Sequence, residues 1–437
     1  MKKLTAVLMA SALTITAAYA QGGAVTVVTS FSKDVTDPFK AAFEAAHPGY
    51  TLEVQNKNTN AGVQYLTETK SNNQSDLFWA SAPDAFHTLK NNQLLTQFKP
   101  SVEGLPEKVG SYNVNDPDGF FFGFAASGYG IMWNERYIEA NKLAAPSEWS
   151  DLTDAQYYDH VVMAAPSRSG TTHLTVETIL QGEGWNKGWG TLKSVGGNFQ
   201  QVMDRSFGVP DAVNSGQAGI GIVIDFFAFS AQASGFPVGF SYPSVTTVVP
   251  ANIGIVANAP NAEGAETFVN FLLSEAGQEV LLAPTIRRLP INPATYAKAP
   301  EGFPNPYKDA NFKAMISFDG DLSSARTAVV DVLFDQLVTF QLDNLKAATQ
   351  AVYGAEKALE GKENAEAAAL IAEARALIAA MPIDQDQAVS PEIADAFTGG
   401  ENKTARQSEL EQAWATFATE NYAAAKAKAE AALALLG

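Results

Sequence analysis

The stretch Pro166-Ser167-Arg168-Ser169-Gly170-Thr171-Thr172-His173 runs straight into the apolar-periodic Leu174, Val176, Ile179 and Leu180. A glycine-containing loop that opens a helix leaves backbone N–H groups unpaired at the positive end of the helix dipole, where a phosphate or carboxylate can accept from them. Ser169, Thr171 and Thr172 add hydroxyl donors, and Arg168 adds a guanidinium fork. One such residue is enough to cap a helix, so the competing reading is a plain N-cap at Ser169 or Thr171. This loop carries more hydroxyls than a cap requires, along with a glycine and an arginine. It therefore reads as an anion seat.

Other chemistry-bearing residues are weaker. Ser30-Phe31-Ser32-Lys33 has the Ser-x-x-Lys spacing of penicillin-interacting enzymes. In those enzymes the serine opens a helix, whereas Ser30 is expected to end a strand, and neither companion motif occurs. Ser30, Ser32 and Lys33 fit better as a loop at the carboxyl end of a strand, where open α/β sheets place their ligands; Trp79, Ala80 and Ser81 end another strand in the same way. Asp225, followed by Phe226-Phe227, suits recognition of ligand hydroxyls or a cap on the next helix. His47, His87, His160 and His173 show no metal-ligand spacing, and no calcium loop, nucleophile elbow, dinucleotide fingerprint or P-loop is present. No metal and no cofactor is expected.

The elements that would hold these residues alternate. Val25–Ser30, Leu52–Val54, Asp76–Ala80, Phe120–Trp133, Ile220–Ile224 and Val245–Val256 read as strands. Asp37-Pro38 is expected to open a helix through Phe39, Ala42, Phe43 and Ala46, and Ala262–Leu273 reads as another. The pattern is that of an α/β protein. From about Ser323 the composition shifts to alanine, glutamate, leucine and lysine. Val329, Leu333, Leu337 and Phe340 form one helical stripe there, with further helices near Glu363–Ala380 and Arg406–Leu436. This region reads as an appended helical lobe.

The beginning of the chain has the charged start Met1-Lys2-Lys3, an apolar run, and Ala18-Tyr19-Ala20 before Gln21, the layout of a cleavable secretory signal over residues 1–20. Periplasmic export follows. No cysteine occurs, so neither disulfides nor thiolate chemistry contribute. With 29 lysines and arginines against 47 acids, and two of the lysines in the signal, the exported chain carries a charge of about −20. Such a field excludes long-range attraction of nucleic acid. It leaves room for an anionic small ligand, because local donors govern a site and salt screens distant charge over about 10 Å.

Taken in order, Val28-Thr29-Ser30-Phe31-Ser32, Asp76-Leu77-Phe78-Trp79-Ala80-Ser81, Asp116-Pro117-Asp118-Gly119, the Ala165–His173 loop and Asn214-Ser215-Gly216-Gln217-Ala218-Gly219-Ile220-Gly221 give the chain a family likeness. Over roughly residues 21–345 it resembles the solute-binding proteins of ABC importers, in the ferric-ion-binding-like branch of the class II periplasmic fold. Within that branch it is most similar to binders of phosphorylated organic solutes. The resemblance implies two α/β lobes joined by a hinge around a central cleft: 21–125 and 245–322 for the first lobe, 126–244 for the second, and 323–437 as the helical addition. It implies a monomer that delivers its solute to a permease in the inner membrane, with no catalysis. Ser32 and Ser81 would face Ser169, Gly170, Thr171, Thr172 and Asp225 across the cleft. Asp225, Trp79, Arg205, His173 and Tyr242 would read the carbon end, with Ser30, Arg168 and Phe226 nearby. Iron-binding members carry an adjacent tyrosine pair where this chain has Phe226-Phe227, a departure that argues against ferric ion. A carrier of ferric ion, a polyamine or another unphosphorylated solute, a sensor feeding a membrane kinase, and an exported hydrolase using Ser30 or Ser32 with Lys33 are the competing readings.

Overall fold

The computed structural model describes residues 22–309, 312, 316–398 and 403–437; the expected signal segment lies outside them. The main sheet is curled, and the strands along it run in the order Tyr50–Asn56, Gly23–Thr29, Leu77–Ala80, Val248–Val256, Phe122–Asn134, Ile220–Ile224, Val161–Ala164, Phe199–Met203. Helices cover both faces, so the strands are continuous apolar runs. Val25, Val27 and Val28, for example, are sealed from solvent.

The strand Phe122–Asn134 is the spine. Its first half pairs antiparallel with Val248–Val256, from Phe122 opposite Ile253 to Gly128 opposite Val248. Its second half pairs with Ile220–Ile224, from Tyr129 opposite Ile224 to Trp133 opposite Ile220. One strand thus belongs to both lobes and changes partner between Gly128 and Tyr129. A side chain at Gly128 would run into the Tyr242 ring, 2.8 Å from a built Cβ, which is why only glycine fits at this crossing.

The first lobe buries an aromatic core. Val35, Phe39 and Phe43 lie at helical spacing on the Lys33–Ala46 helix and pack inward. Phe39 meets the Trp79 ring edge-on at 5.4 Å and Phe43 meets Phe268 at 4.9 Å. Truncating Phe39 to alanine would cost about 3–5 kcal/mol through lost burial and the cavity left behind. This helix begins at Lys33 and not at the expected Asp37-Pro38. The Ser32 carbonyl already accepts from the Val35 and Thr36 amides, and Pro38 is carried inside the helix as a missing donor.

The C-terminal helices lie beyond the sheet, and they share a single hydrophobic core with the second lobe. Leu342–Leu359, Ala365–Ala379 and Lys403–Leu436 form a bundle whose contact positions are often alanine, including Ala348, Ala355, Ala374, Ala425 and Ala429, so backbones approach closely. Trp185 and Trp189 of the second lobe pack into the same core, and the Trp185 indole donates to the Ile383 carbonyl at 3.0 Å. The predicted stripe holds through Val329, Leu333 and Leu337. Phe340 is 57% exposed because a π-turn at Asp335–Thr339 shifts the helical phase before it. The Gly320–Phe334 helix departs from the bundle and lies against both lobes, touching the Pro83–Asn91 helix of the first and the Gly170–Glu183 helix of the second.

Candidate functional site

Parallel strands in register deliver their following loops to the same edge. Thr29 lies opposite Trp79 and Asn56, so Ser30-Phe31-Ser32, Ser81 and Thr59 emerge side by side from the first lobe. In the second lobe Ala164 lies opposite Met203, and Ile220–Ile224 runs parallel to Val161–Ala164. The loops Arg168–Thr171, Arg205–Phe207 and Phe226-Phe227 therefore emerge together. These two sets of carboxyl strand ends enclose a cavity of about 30 Å³, lined by Ser30, Ser32, Thr59, Ser81, Arg168, Ser169, Gly170, Thr171, Arg205, Ser206 and the rings of Phe31, Phe207, Phe226 and Phe227. Among the lining residues are two arginines and no carboxylate, imidazole or phenol.

Helix starts add to the charge of the two arginines. The Lys33–Ala46, Thr59–Glu68, Gly170–Glu183 and Asp225–Ala233 helices all begin at this cavity, each presenting the positive end of its dipole. On the first of them Ser32 sits at the N-cap position but makes no side-chain cap. On the third, Ser169 does cap: its hydroxyl accepts from the Thr172 amide at 3.2 Å. The cap reading and the cavity-lining position thus coexist at Ser169. A group of donors converging from opposite lobes, with apolar rings excluding water, can hold a small anion through charge-assisted hydrogen bonds.

The lobes meet closely here. A Cβ on Gly170 would sit 2.7 Å from the Ala82 Cβ and 3.0 Å from the Thr59 hydroxyl, so the second lobe's helix start presses directly on the first lobe. The Asn60 amide donates to the Ser167 carbonyl at 3.0 Å and to Asp331 at 3.1 Å. Arg205 reaches across to the Ser30 carbonyl and the Asn56 side chain, each at 3.4 Å; burial lowers its pKa from the usual guanidinium value. Arg168 is turned outward into an ion pair with Asp204. A cavity of this size accepts a group on the scale of a water or two.

Of the residues singled out from sequence, Ser30, Ser32, Ser81, Arg168, Ser169, Gly170, Thr171, Arg205 and Phe226 are brought together at the cavity. Five are placed elsewhere. Thr172 lies one position further into the helix, buried, its amide spent on the Ser169 cap. Trp79 is sealed inside the first lobe with its ring 5.0 Å from Phe31. Asp225 turns away from the cavity: its carboxylate accepts from the Gly128 amide at 2.7 Å, the Phe226 amide at 2.7 Å and the Tyr242 hydroxyl at 2.8 Å. Burial pushes its pKa up to about 6, against the pull of these donors and of Arg288. Tyr242 is occupied by the same bond.

His173 lies behind the anion-seat helix. Its Nδ1 is 2.8 Å from Asp331 and its Nε2 is 3.1 Å from the Ser323 hydroxyl and 3.9 Å from Asp84. Burial alone would depress the imidazole pKa. The carboxylates of Asp331, Asp84 and Glu177 overcome it and hold the group at about 9. Close by, Arg326 donates twice to Glu177, at 2.8 and 2.9 Å.

Thr59, Ser206 and Phe207 at the cavity escaped the sequence reading, as did Arg288 behind it. Arg288 is fully buried behind the first-lobe wall, donating to the hydroxyls of Ser81 at 2.7 Å and Ser127 at 3.0 Å. Nothing in Ile286-Arg287-Arg288-Leu289 distinguishes it from its neighbour; only the pairing of Leu289 with Ala126 carries it inward.

The chain is 28% identical over 338 residues to the phosphoglycerate transport regulatory protein PgtC of Salmonella typhimurium, covering 76% of this chain and 81% of that one. Its fold is similar to the periplasmic binding protein AfuA of Actinobacillus pleuropneumoniae, solved with fructose 6-phosphate bound (TM-score 0.62, 18% identity, 74% of this chain and 96% of that one). It is also similar to iron-bound HitA of Pseudomonas aeruginosa (TM-score 0.59, 16% identity, 70% and 98%). The class II periplasmic fold expected from the sequence is thereby shown. The family of bacterial extracellular solute-binding proteins matches residues 72–315, and this chain belongs to it.

Proposed function

We propose that the protein captures a phosphorylated organic solute between its two lobes and hands it to a membrane permease of the ABC type. The observation that carries this reading is the convergence of helix starts from opposite lobes, Ser32-Lys33 on one side and Ser169-Gly170-Thr171 on the other, onto one cavity lined by arginine and without a carboxylate. An anion bridging the two sets of donors gains its full complement of hydrogen bonds only when the lobes are together, so ligand binding favours closure. The donors are mostly amides and hydroxyls, which satisfy a phosphate without burying many full charges. The relative named for phosphoglycerate transport and the neighbour holding fructose 6-phosphate support the same solute class.

An iron- or polyamine-binding role is disfavoured by the lining itself, which offers a cation no anionic or imidazole ligand. A second reading, in which closure reports solute to a membrane partner without transport, is supported by the regulatory name of that same relative. Both readings share the ligand. The test is a thermal-shift series on ligand-stripped protein with sugar phosphates, phosphoglycerates, inorganic phosphate, ferric citrate and spermidine. A ligand present at 100 times its Kd adds about 2.7 kcal/mol to stability. Stabilisation by phosphate esters is the expected result. Stabilisation by ferric citrate or spermidine alone would refute the proposal.

A further inference from the structure

The Gly320–Phe334 helix is fixed to the second lobe and lies against the first. Its Val329, Val330, Leu333 and Phe334 belong to the apolar core that the second lobe shares with the C-terminal helices, and none of its residues enters a core of the first lobe. Arg326 grips Glu177 of the second lobe with two buried bonds, at 2.8 and 2.9 Å. The Gln181 side chain holds both backbone groups of Asp319, accepting from its amide at 2.7 Å and donating to its carbonyl at 3.0 Å. Phe318, one residue earlier, is still buried in the aromatic core of the first lobe beside Tyr112. The chain therefore crosses between lobes at Phe318-Asp319, and the helix leaves that pivot as an arm of the second lobe.

From Gly320 to Asp331 the arm runs about 16 Å, at about 1.5 Å per residue. There the Asp331 carboxylate is divided between the lobes. One oxygen accepts from His173 Nδ1 of the second lobe at 2.8 Å, and the other accepts from the Asn60 amide of the first at 3.1 Å. Asn60 gives its remaining N–H to the Ser167 carbonyl at 3.0 Å, so both donors of one first-lobe side chain end on the second-lobe body. Asp84 of the first lobe adds a carboxylate 3.9 Å from His173 Nε2. Contacts so far from the pivot part under a small rotation, whereas Asp321, beside the pivot and 3.8 Å from His87, moves little. Neither Asn60 nor Asp331 nor His173 lines the cavity, so these contacts form whenever the lobes come together.

We infer that the Gly320–Phe334 helix is a latch: carried by the second lobe, it catches Asn60 of the first through Asp331 and holds the lobes together without solute. The inference takes from the proposed function only that the lobes part and close. Closure that does not depend on solute changes how solute is gained and lost. The free protein has to open before it binds, and the loaded protein releases slowly.

Pulsed electron paramagnetic resonance on ligand-stripped protein tests it. Spin labels are placed on cysteines introduced at exposed positions of the two lobes, Asp37→Cys and Ser215→Cys, in a chain that has no other cysteine. In the otherwise wild-type protein we expect mainly one short distance, that of the lobes together. Asn60→Ala should lower the ratio of short to long distances about tenfold, the worth of a hydrogen bond to a charged acceptor. Asn60→Asp should lower it further, because its carboxylate meets Asp331 and the Ser167 carbonyl with no donor. An acid also suits the second position of the Thr59–Glu68 helix, at the positive end of the dipole, so this variant keeps its fold, which circular dichroism checks. A wild-type protein that shows only the long distance would overturn the inference. So would a ratio unchanged in folded Asn60→Ala and Asn60→Asp proteins. No solute is present in these measurements, so neither result bears on the proposed solute class.

Discussion

Raising the pH from 6 to 10 should discharge the buried imidazolium of His173, which joins the first lobe through Asp84, the second through its own helix, and the Gly320–Phe334 helix through Asp331 and Ser323. Its folded pKa is held at about 9, above the ordinary histidine value of about 6.5. A group whose pKa is raised on folding stabilises the native state fully below the unfolded value, and that contribution is lost as pH climbs through the folded one. The difference of about 2.5 pH units corresponds to about 3 kcal/mol at 1.36 kcal/mol per unit. Lys193 titrates in the same window with opposite sign: burial holds its pKa down to about 7, so stability from that site rises with pH above 7. Wild-type curves therefore sum both effects, and the informative quantity is the difference between wild type and His173→Gln in urea unfolding at each pH. That difference should be largest below about pH 6 and should shrink by about 3 kcal/mol by pH 9.5. A difference independent of pH would refute the assignment of a buried imidazolium.

Gly170→Ala should favour the isolated helix by up to about 1 kcal/mol yet hinder closure, because its methyl would meet Ala82 at 2.7 Å; overpacking of about 1–3 kcal/mol predicts a rise in ligand Kd, read by calorimetry, without loss of helix by circular dichroism. Thr171→Ala should weaken a phosphate ester by about 1–3 kcal/mol while leaving the thermal midpoint of the free protein nearly fixed. Ser169→Ala should weaken the same ligand and in addition lower stability by about 1 kcal/mol, since it removes the cap on the Thr172 amide. Arg326→Met should destabilise by about 3–5 kcal/mol in urea titrations, because it strands the Glu177 carboxylate inside the protein.

Strand ends and loop chemistry were legible in the sequence because they are local. Ser30, Ser81 and the Ser169–Thr171 stretch sit where an apolar run gives way to small polar residues, and parallel pairing then aligns those positions. Asp225 met the same local criterion, yet its orientation is set by Gly128 and Tyr242, which no local pattern links to it. Trp79 and His173 look equally able to face a ligand or a core, and contacts distant in sequence turned both inward. Arg288 was invisible for the opposite reason: the second of two adjacent arginines gives no hint of burial, and only the return of the chain to Ala126 encloses it. The early start of the Lys33–Ala46 helix escaped because a proline normally marks a helix's first turn, whereas here Pro38 is absorbed within it.

The exchange of partners along Phe122–Asn134 also orders the events of folding. The strand that completes the first lobe, Val248–Val256, lies between Leu77–Ala80 and Phe122–Asn134, yet it follows the entire second lobe in the chain. The amino-terminal strands can form their parallel pairs early, but their sheet stays open at its inner edge until the second lobe has been made. Pairings so distant in sequence carry a large loop-closure entropy and fold slowly. The strands of the second lobe all lie between those two halves, but its core is closed by the helices from Val329 onward, so each lobe waits on chain that follows it. The same return of the chain brings Leu289 to Ala126 and Arg288 to its serines, so the cleft wall is assembled by contacts distant in sequence.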